Sequence, residues 1–510
     1  MPKTTGPRSP FPNKRVLIAY SASSTHVQTT VDFLLSFSRH FEGDVSFVHV
    51  THGAVMDFDL DVFDVVIHSY CARLPYEGYV SPHYEAALSR FAGPKVAIVQ
   101  DEYERTNALA EAIERLGFSA VLTCAPPETV PRIYPPERFA NVEFLRVLTG
   151  YVPEYADRLG AFALPLRERP ITVSYRGRDL GPRFGRLGAD KVEIGVRVRA
   201  ACEARGVACD IAWDEASRMY GDDWFRFLGA SRTTLGVESG SNLFDFDGAV
   251  ERRLNEMTAQ GRRPTHEEFR AVAGDLEDPS MNMGQASPRL FEAAVLKTPM
   301  ILLRGAYSGV VEADRHYIPL EKDYSNLEAV LDRLDNFDEL EAMAERAFHD
   351  LVSSGRYTYR AFAKGVEALV DRQIAAHAGR QGAPIAGSPP PAADDPTLRE
   401  RPTKRLIRRD EFLMDKYQRE MRAYTAELER LNVAYPAEIA RLNEVYPAEI
   451  TRLNDVYSAE IARLNEVSSA EIRSLGAEIE VLRKQVQDYQ AVPGFSPIAA
   501  LFAKLRRLTR

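Results

Sequence analysis

The first 150 residues alternate short apolar segments with amphipathic helical segments, and this alternation limits the fold more than any other feature of the chain. The predicted strands are residues 15–20, 44–50, 63–70, 95–100, 119–123 and 141–147. The helical patterns between them include residues 27–41, 82–91 and 107–116. Such alternation is typical of a parallel sheet with helices on both faces. We therefore predict a Rossmann-like α/β domain over residues 15–160, after a disordered leader at 1–14.

A second strand–helix alternation follows a linker region and predicts a second Rossmann-like domain over residues 165–377. It begins with the apolar segment ITVSYR and continues with predicted elements at 191–205, 209–213, 326–333, 337–353 and 357–377. A polar segment with helix-like charge, residues 250–286, is predicted to be an insertion. In a sheet of this kind, the loops at the carboxyl ends of the strands face the ligand crevice.

Cationic residues crowd the loop after the first strand of this second domain. Arg176, Arg178, Arg183 and Arg186 lie within eleven positions, and Lys191 follows them. Guanidinium groups suit phosphate oxygens, so Arg176 and Arg178 are predicted to contact a phosphorylated ligand. The alternative is an ordinary solvated basic loop.

Two further segments supply candidate ligand-binding residues. The loop containing Glu238 and Ser239 follows a buried strand, where the base or sugar of a ligand is expected to pass. Nearby, Asp245 and Asp247 are two carboxylates in a strand-like phase, which is a weak signal for a metal. No metal site is predicted.

The segment from Ser287 to Tyr317 carries most of the functional information. Ser287 and Pro288 are suited to begin a helix, which places Arg289 and Glu292 near its N-terminus. An apolar strand at 300–303 and a glycine-containing loop follow, and the candidate residues of that loop and the position just beyond it are Ser308, Gly309 and Glu312. Carboxylates accept hydrogen bonds from sugar hydroxyls, and a glycine lets backbone N–H groups approach a diphosphate. The alternative is a helix carboxylate and an ordinary turn.

These motifs resemble the donor-binding segment of the group 1 glycosyltransferases with the GT-B fold. FEAA at 291–294 with TP at 298–299 resembles the E-A-x-A-x-x-T-P helix, and SGVVE at 308–312 resembles the G-G-x-x-E loop with one glycine replaced. The resemblance implies that Glu292 holds the donor ribose and that the loop before Glu312 lies against the donor sugar and phosphates. The chain departs from the family at Gly284, where a further glutamate is expected.

Candidate catalytic residues lie after strands of the first domain. His26 follows the first strand, and imidazole titrates near neutral pH. Asp101 and Glu102 follow the fourth strand and are the competing candidates for a general base. The alternative is that these are polar loop residues. The first loop lacks a G-x-G-x-x-G motif, so no dinucleotide cofactor is predicted, and a nucleotide-diphosphate sugar is the expected co-substrate.

Composition excludes several classes of protein. The net charge of −9 argues against a general nucleic-acid-binding protein. The four cysteines form no C-x-x-C pair, which is consistent with a reducing cytoplasm. No segment of about 18 apolar residues is present to span a membrane.

The last quarter of the chain has a different character. Residues 378–405 are rich in Ala, Gly and Pro and predict a flexible linker. Residues 406–490 contain an 11-residue repeat, which predicts a coiled coil and a homo-oligomer, although Pro436 and Pro447 interrupt the helical pattern. Residues 491–510 form a basic amphipathic pattern. This tail is suited to peripheral contact with the inner face of a membrane, or to docking on its own protein.

Together these features predict a cytoplasmic GT-B glycosyltransferase. It would move a sugar from a nucleotide-diphosphate-sugar donor to a glycan, lipid or protein acceptor. The alternative is a non-catalytic scaffold or glycan-binding protein that is derived from the same fold and assembled through the coiled coil.

Overall fold

The computed structural model describes residues 9–25, 27–259, 263–278 and 280–381, together with Ala477 and Glu480. His26, most of the predicted leader, and nearly all of the predicted linker, coiled coil and tail therefore lie outside the described residues. Both sheets described below belong to one compact unit. No helix in the described ranges is long and apolar enough to cross a membrane.

The first sheet contains six parallel strands in the order β2-β1-β3-β4-β5-β6. The strands are β1 Arg15–Tyr20, β2 Asp44–His49, β3 Val65–His68, β4 Lys95–Ile98, β5 Ala120–Thr123 and β6 Glu143–Arg146. Each coincides with a predicted strand, so the first half of the α/β prediction is confirmed. Apart from Arg15 at the start of β1, the inner strands are buried, because helices cover both faces of the sheet.

Six helices belong to this part of the chain: α1 Gln28–His40, α2 Pro82–Arg90, α3 Thr106–Leu116, α4 Val130–Ile133, α5 Pro136–Phe139 and α6 Ala156–Leu159. Local sequence explains their ends. Pro82 occupies the first turn of α2, where no N–H donor is needed. Gly117 ends α3 in the left-handed conformation that glycine adopts without steric cost.

The second sheet contains five parallel strands in the order β11-β10-β9-β7-β8. The strands are β7 Ile171–Arg176, β8 Cys209–Ala212, β9 Ser231–Gly236, β10 Met300–Leu303 and β11 Tyr317–Leu320. The sequence did not predict β11 because Pro319 lies within it. Among the strands that the structure describes, β11 pairs with β10 alone, and an edge strand tolerates a missing N–H donor.

The helices of the second domain are α7 Gly185–Arg205, α8 Gly221–Gly229, α9 Ala249–Thr258, α10 His266–Ala273, α11 Pro288–Val295, α12 Leu327–Asp332, α13 Phe337–Ala347 and α14 Tyr359–Gln381. Helix α7 begins at Gly185, whereas the sequence predicted a start at residue 191. The glycine-rich first turn reads as a loop. A side chain distant in sequence supports this first helical turn, because Asn242 Oδ1 accepts a hydrogen bond of 3.1 Å from the Leu187 N–H.

Helix α14 returns to the first domain, as the GT-B resemblance implies. Its Phe362 ring packs 5.5 Å from that of Phe33 in α1. The buried Lys14 ammonium group lies 2.8 Å from Glu367 and 3.1 Å from Asp371, both on α14. An apolar contact and a buried ion-pair network therefore join the end of the second domain to the first sheet.

The carboxyl ends of the two sheets face each other. Tyr103, just beyond β4, stacks edge-on against Phe184 at 5.8 Å, and its carbonyl accepts a 2.9 Å hydrogen bond from the Asp245 N–H. In both sheets the second strand lies outside the first, so the strand order reverses between β1 and β3 and between β7 and β9. Doubly wound sheets bind ligands at such reversals, outside the carboxyl ends of their strands.

Candidate functional site

Two cationic side chains lie next to each other at the carboxyl edge of the second sheet. Lys191 on α7 donates a hydrogen bond of 3.3 Å to Ser239 Oγ. Arg289, in the first turn of α11, donates to the Arg176 carbonyl and places its guanidinium group 5.0 Å from the centre of the Trp224 ring. Burial, together with the positive charge of Arg289, lowers the pKa of Lys191 to about 8. Within the described ranges, neither cation lies within 4 Å of a carboxylate oxygen.

Helix α11 begins as predicted, and its start places Arg289. Ser287 Oγ accepts a hydrogen bond of 3.3 Å from the Arg289 N–H, and Pro288 occupies the first helical position. The remaining N–H groups of the first turn point away from the helix, toward its N-terminal end. The N-terminal end of a helix also carries a partial positive charge. The helix therefore adds to the positive potential beside Lys191.

Glu292 lies one turn further along α11. Its Oε2 atom accepts a hydrogen bond of 2.8 Å from Trp224 Nε1. Burial raises the pKa of Glu292, while this hydrogen bond and the charge of Arg289 oppose the rise. The indole fixes one carboxylate oxygen, and the other oxygen can accept a hydrogen bond from a ligand hydroxyl.

Glu238 is buried, although the sequence predicted it to bind a ligand. Its Oε1 atom accepts hydrogen bonds from the backbone N–H groups of Ala306, at 2.9 Å, and Tyr307, at 3.1 Å. Its Oε2 atom lies 4.0 Å from Lys322 Nζ. Its neighbour Ser239 is only partly buried and contacts Lys191, as described above.

The glycine-containing loop after β10 has a left-handed backbone. Tyr307, Ser308 and Gly309 have φ angles of 45°, 55° and 75°. For residues other than glycine this conformation costs roughly 1–2 kcal/mol each. Two hydrogen bonds of its side chain stabilise Ser308: the Oγ atom donates to Gln285 Oε1 at 3.0 Å and accepts from the Ala286 N–H at 3.2 Å.

Gln285 is a site residue that the sequence analysis missed. It is buried, and its Nε2 atom donates a hydrogen bond of 2.7 Å to the Cys124 carbonyl, just beyond β5. The same side chain thus connects the loop at Ser308 to the first domain. No local pattern marks this glutamine, because its partners lie 161 and 23 positions away in the sequence.

The four arginines after β7 do not converge on one place. The Arg176 guanidinium pairs with Asp210 at 2.9 Å and lies 4.1 Å from the centre of the Phe227 ring. Arg178 is exposed and 3.9 Å from Glu215. Arg186 pairs with Asp190 at 2.6 Å on its own helix. Arg183 lies 2.6 Å from Glu104 of the first domain.

Glu312 is exposed and lies beyond the loop. Its side chain is 74% accessible and 4.0 Å from Arg315. Its backbone is fixed, because its N–H donates to His316 Nδ1 at 3.0 Å while His316 Nε2 donates to Asp350 at 3.0 Å. The carboxylate itself is available to a ligand.

On the first domain, Asp101 lies at the carboxyl edge of the sheet. Its side chain is half exposed, and Oδ1 accepts a 2.8 Å hydrogen bond from the Tyr103 hydroxyl. Partial loss of solvent raises its pKa, and the charge of Glu104 adds to the rise. Glu104 also accepts from the Tyr76 hydroxyl at 2.6 Å. Asp101 therefore lies beside the Glu104–Arg183 contact between the domains.

Glu102, the competing candidate, points into the first domain. It is fully buried, it accepts a hydrogen bond from the Thr123 hydroxyl, and its Oε2 atom has no partner among the described residues. Burial raises its pKa from 4.5 to about 8, so it is mostly neutral at pH 7. Asp101 is accordingly the more accessible of the two carboxyl groups.

The aspartates considered for a metal have structural partners. Asp245 accepts hydrogen bonds from the N–H groups of Val250 and Glu251, both at 3.1 Å, at the start of α9. Asp247 accepts one from the Ala249 N–H at 3.1 Å. Among the residues that the structure describes, no group of three or more His, Cys, Asp or Glu is arranged to hold a metal ion.

No protein-family model matches the chain, and no curated protein matches it in sequence. Solved structures are similar to it in arrangement. An α-glucosyltransferase in complex with UDP-glucose and DNA containing an abasic site is 9% identical, with a TM-score of 0.39 over 70% of this chain and 99% of that chain. Anabaena HepE in complex with UDP-glucose is 10% identical, with a TM-score of 0.36 over 72% of this chain and 100% of that chain.

The glycosyltransferase SnogD from Streptomyces nogalater is 13% identical, with a TM-score of 0.33 over 70% of this chain and 99% of that chain. At these identities and TM-scores, the similar structures assign no substrate to this chain. The chain's own two parallel sheets, with a last helix returning to the first, have the arrangement that the GT-B resemblance of its sequence motifs implies.

Proposed function

We propose that the chain is a glycosyltransferase that moves a sugar from a nucleotide-diphosphate-sugar donor to an acceptor hydroxyl group. The observation that carries this proposal is the juxtaposition of Lys191 and Arg289 beside Ser239 and the N-terminus of α11. These two like charges repel each other, and among the described residues no carboxylate oxygen lies within 4 Å of either to form an ion pair. A diphosphate bound there offsets that repulsion and also meets the partial positive charge of the helix.

Neighbouring groups match the rest of a nucleotide sugar. Glu292, held by Trp224, is placed one helical turn from Arg289 and can accept a hydrogen bond from a ribose hydroxyl. The loop at Ser308 and Gly309 offers backbone groups at the end of the next strand, whereas the Ser308 hydroxyl is already bonded to Gln285 and Ala286. Glu312 is accessible just beyond that loop. These residues are the proposed donor site. The buried Arg176 side chain pairs with Asp210, and only the Arg176 carbonyl contacts the site, by accepting a hydrogen bond from Arg289.

The reaction follows from this placement. The acceptor oxygen forms a bond to the anomeric carbon of the sugar as the bond from that carbon to the phosphate oxygen breaks. The electron pair leaves with the nucleoside diphosphate, and Lys191 and Arg289 stabilise its negative charge. The proton of the acceptor hydroxyl passes to a carboxylate on the opposite domain. Asp101 is the proposed base, because its raised pKa increases its affinity for that proton.

The second candidate is a non-catalytic scaffold or glycan-binding protein with the same fold. Gly284 favours it, because the GT-B resemblance expects a carboxylate at that position. Homo-oligomerisation through the coiled coil, a cytoplasmic location and peripheral membrane contact are further proposals that rest on the sequence alone. The class of acceptor, whether glycan, lipid or protein, is open.

Calorimetric titration of the full chain with UDP, GDP and ADP, and with their sugar derivatives, tests the proposed donor site. We expect one nucleoside diphosphate to bind, and Lys191→Ala and Arg289→Ala each to weaken its binding by about tenfold or more, since each charge-assisted contact contributes on the order of 1.5–3 kcal/mol. Lys297→Ala and Arg270→Ala are matched controls, because these cations are exposed and pair with Glu345 and Glu277 on the surface. Binding that is absent, or unchanged in both site variants, would contradict the proposal.

Release of nucleoside diphosphate from the bound sugar nucleotide distinguishes the enzyme from the scaffold. We expect the wild type to release it in the presence of an acceptor or of water. Asp101→Asn should bind the donor with unchanged affinity. It should release the nucleoside diphosphate product far more slowly than the wild type. A protein that binds the nucleotide sugar but never releases the diphosphate is the scaffold.

A further inference from the structure

The Glu238 carboxylate is enclosed by backbone on three sides. A Cβ atom on Gly284 would lie 2.3 Å from its Oε1 atom, and a Cβ atom on Gly305 would lie 2.5 Å from its carboxyl carbon. The third side is formed by the N–H groups of Ala306 and Tyr307, which donate to Oε1. Only 4% of the residue is accessible. The carboxylate therefore has little surface to offer a ligand, and glycine is required at both flanking positions.

The segment that Glu238 holds has a backbone conformation that needs support from outside. Three consecutive residues, Tyr307 to Gly309, have positive φ angles, and the first two carry side chains. Such conformations persist where the surrounding structure determines them, and they cluster at ligand sites. Glu238 fixes the entry to this turn, and the Gln285 amide fixes its middle through Ser308.

We propose that Glu238 is a positioning residue for the donor site. Its carboxylate sets the left-handed turn at 307–309 and thereby presents the backbone of Ser308 and Gly309 to the donor, without touching the donor itself. This inference rests on the proposed function, because it assumes that the turn contacts a nucleotide sugar. It assigns to Glu238 a different role from the direct contact that the sequence predicted.

The chemistry of the contact separates a positioning role from a direct one. The two N–H groups need one acceptor atom, so the amide oxygen of Glu238→Gln preserves the turn, whereas Glu238→Ala removes the acceptor. Gly284→Ala leaves Glu238 in the sequence but places a methyl group where the carboxylate lies. If Gly284→Ala weakens ligand binding by displacing the Glu238 carboxylate, it should have little further effect on binding in a variant that already lacks this carboxylate.

The experiment measures the dissociation constant of the nucleotide sugar that the wild-type full chain binds. We expect Glu238→Ala and Gly284→Ala each to weaken binding by about tenfold or more, which is about 1.4 kcal/mol. Glu238→Gln should remain within about threefold of the wild type. The double variant Gly284→Ala/Glu238→Ala should bind no more weakly than Glu238→Ala alone, because neighbouring residues that act through one contact are not additive. Glu341→Ala, an exposed carboxylate on α13, is the control.

Three results overturn the inference. Unchanged binding in Glu238→Ala shows that the turn does not depend on the carboxylate. A loss in Glu238→Gln as large as in Glu238→Ala shows that the negative charge contacts the ligand. Additive effects in the double variant show that Gly284→Ala acts elsewhere. Wild-type protein that binds no nucleotide overturns the proposed function and this inference with it, so the two failures are distinguishable. Should Glu238→Ala fail to fold, Gly284→Ala and Glu238→Gln decide together: weakened binding in the first with retained binding in the second supports the inference, and unchanged binding in both overturns it.

Discussion

Glu238 occupies the space in which residue 284 would place a side chain, since a Cβ atom on Gly284 would lie 2.3 Å from Glu238 Oε1. Residue 284 is the position at which the GT-B motif expects a glutamate. In this chain a carboxylate from the loop after β9 fills that space and binds the backbone of the loop after β10. The carboxylate of Glu238 therefore explains why residue 284 is a glycine. It occupies the space that a side chain at residue 284 would need.

The affinity for a nucleoside diphosphate should fall as the pH rises above 8. Lys191 has a pKa lowered to about 8 by burial and by Arg289, so it is charged below that pH and increasingly neutral above it. Only the charged form attracts phosphate. We expect the dissociation constant to rise by about tenfold between pH 7.5 and 9.5, since one charged contact is lost.

The control for this dependence is Lys191→Arg. A guanidinium group stays charged throughout this pH range, so the affinity of the variant should be nearly constant from pH 7.5 to 9.5. The measurement is a calorimetric titration at each pH. Equal pH profiles in the wild type and the variant would show that Lys191 is not the titrating group.

Glu102 should make the folded chain less stable as the pH rises from about 4.5 to 8. Its folded pKa is about 8 and its ordinary value is 4.5, so in this range the folded chain holds a proton that the unfolded chain releases. Its contribution is complete below pH 4.5 and is lost as the pH rises through 8, at up to about 1.4 kcal/mol per pH unit. Glu102→Gln keeps the shape of the side chain and cannot ionise.

Urea unfolding of the wild type and of Glu102→Gln at pH 5, 6, 7 and 8 measures this effect. With each rise in pH, the free energy of unfolding of Glu102→Gln should increase relative to that of the wild type. Taking the difference between the two proteins removes the other titrating groups. A difference that stays constant with pH would mean that Glu102 is ionised in the folded chain.

The buried ion pair that attaches α14 to the first domain should be important for stability. Lys14→Met leaves the carboxylates of Glu367 and Asp371 buried without this partner, and breaking a buried pair in this way costs about 3–5 kcal/mol. Arg15→Ala, which removes an exposed pair with Asp64, should cost at most about 1 kcal/mol. Chemical denaturation measures both.

A third variant tests the reason for the loss at Lys14. Lys14→Met combined with Asp371→Asn removes the carboxylate that has lost its cation, while Glu367 keeps its 2.7 Å ion pair with Lys364, and this variant should recover part of the stability. Equal stability of Lys14→Met and the double variant would point to lost packing as the cause.

Asp245 should behave as a helix cap and not as a metal ligand. Its carboxylate accepts hydrogen bonds from two N–H groups at the start of α9, and removing such a cap costs about 0.5–2 kcal/mol. We expect Asp245→Ala to lower the free energy of unfolding by that amount and Asp245→Asn to lower it by less, because asparagine keeps one acceptor oxygen for the two N–H groups that bond separately to Oδ1 and Oδ2. A chelator should leave the melting temperature unchanged. A melting temperature that falls with chelator would indicate a metal.

Much of the fold follows from local sequence patterns. The six strands of the first sheet are short apolar segments bounded by turn residues, and burial on both faces makes such segments easy to recognise. Ser287 and Pro288 mark the start of α11 by capping rules alone. Strand β11 escaped prediction because Pro319 contradicts the usual preference, and only its place at the edge of the sheet permits it.

The site was predictable only in part, because several of its decisive contacts join distant parts of the chain. The sequence predicts Arg289 and Glu292 from the helix start and the motif, but it gives no sign that Asp210 on the adjacent strand is the partner of Arg176. Glu238 acts on a loop 68 positions away, and Gln285 contacts a carbonyl 161 positions away. Periodicity and propensity describe neighbours in sequence, so contacts of this kind become visible only in three dimensions.

The central claim is that a nucleoside diphosphate binds between Lys191 and Arg289. The most direct test is a crystal structure of the full chain grown with the nucleoside diphosphate that the wild type binds in solution. We predict phosphate oxygens within about 3 Å of Lys191 Nζ and of the Arg289 guanidinium, with a ribose hydroxyl at Glu292. A diphosphate bound elsewhere on the chain, with Lys191 and Arg289 making no contact to it, would contradict the account.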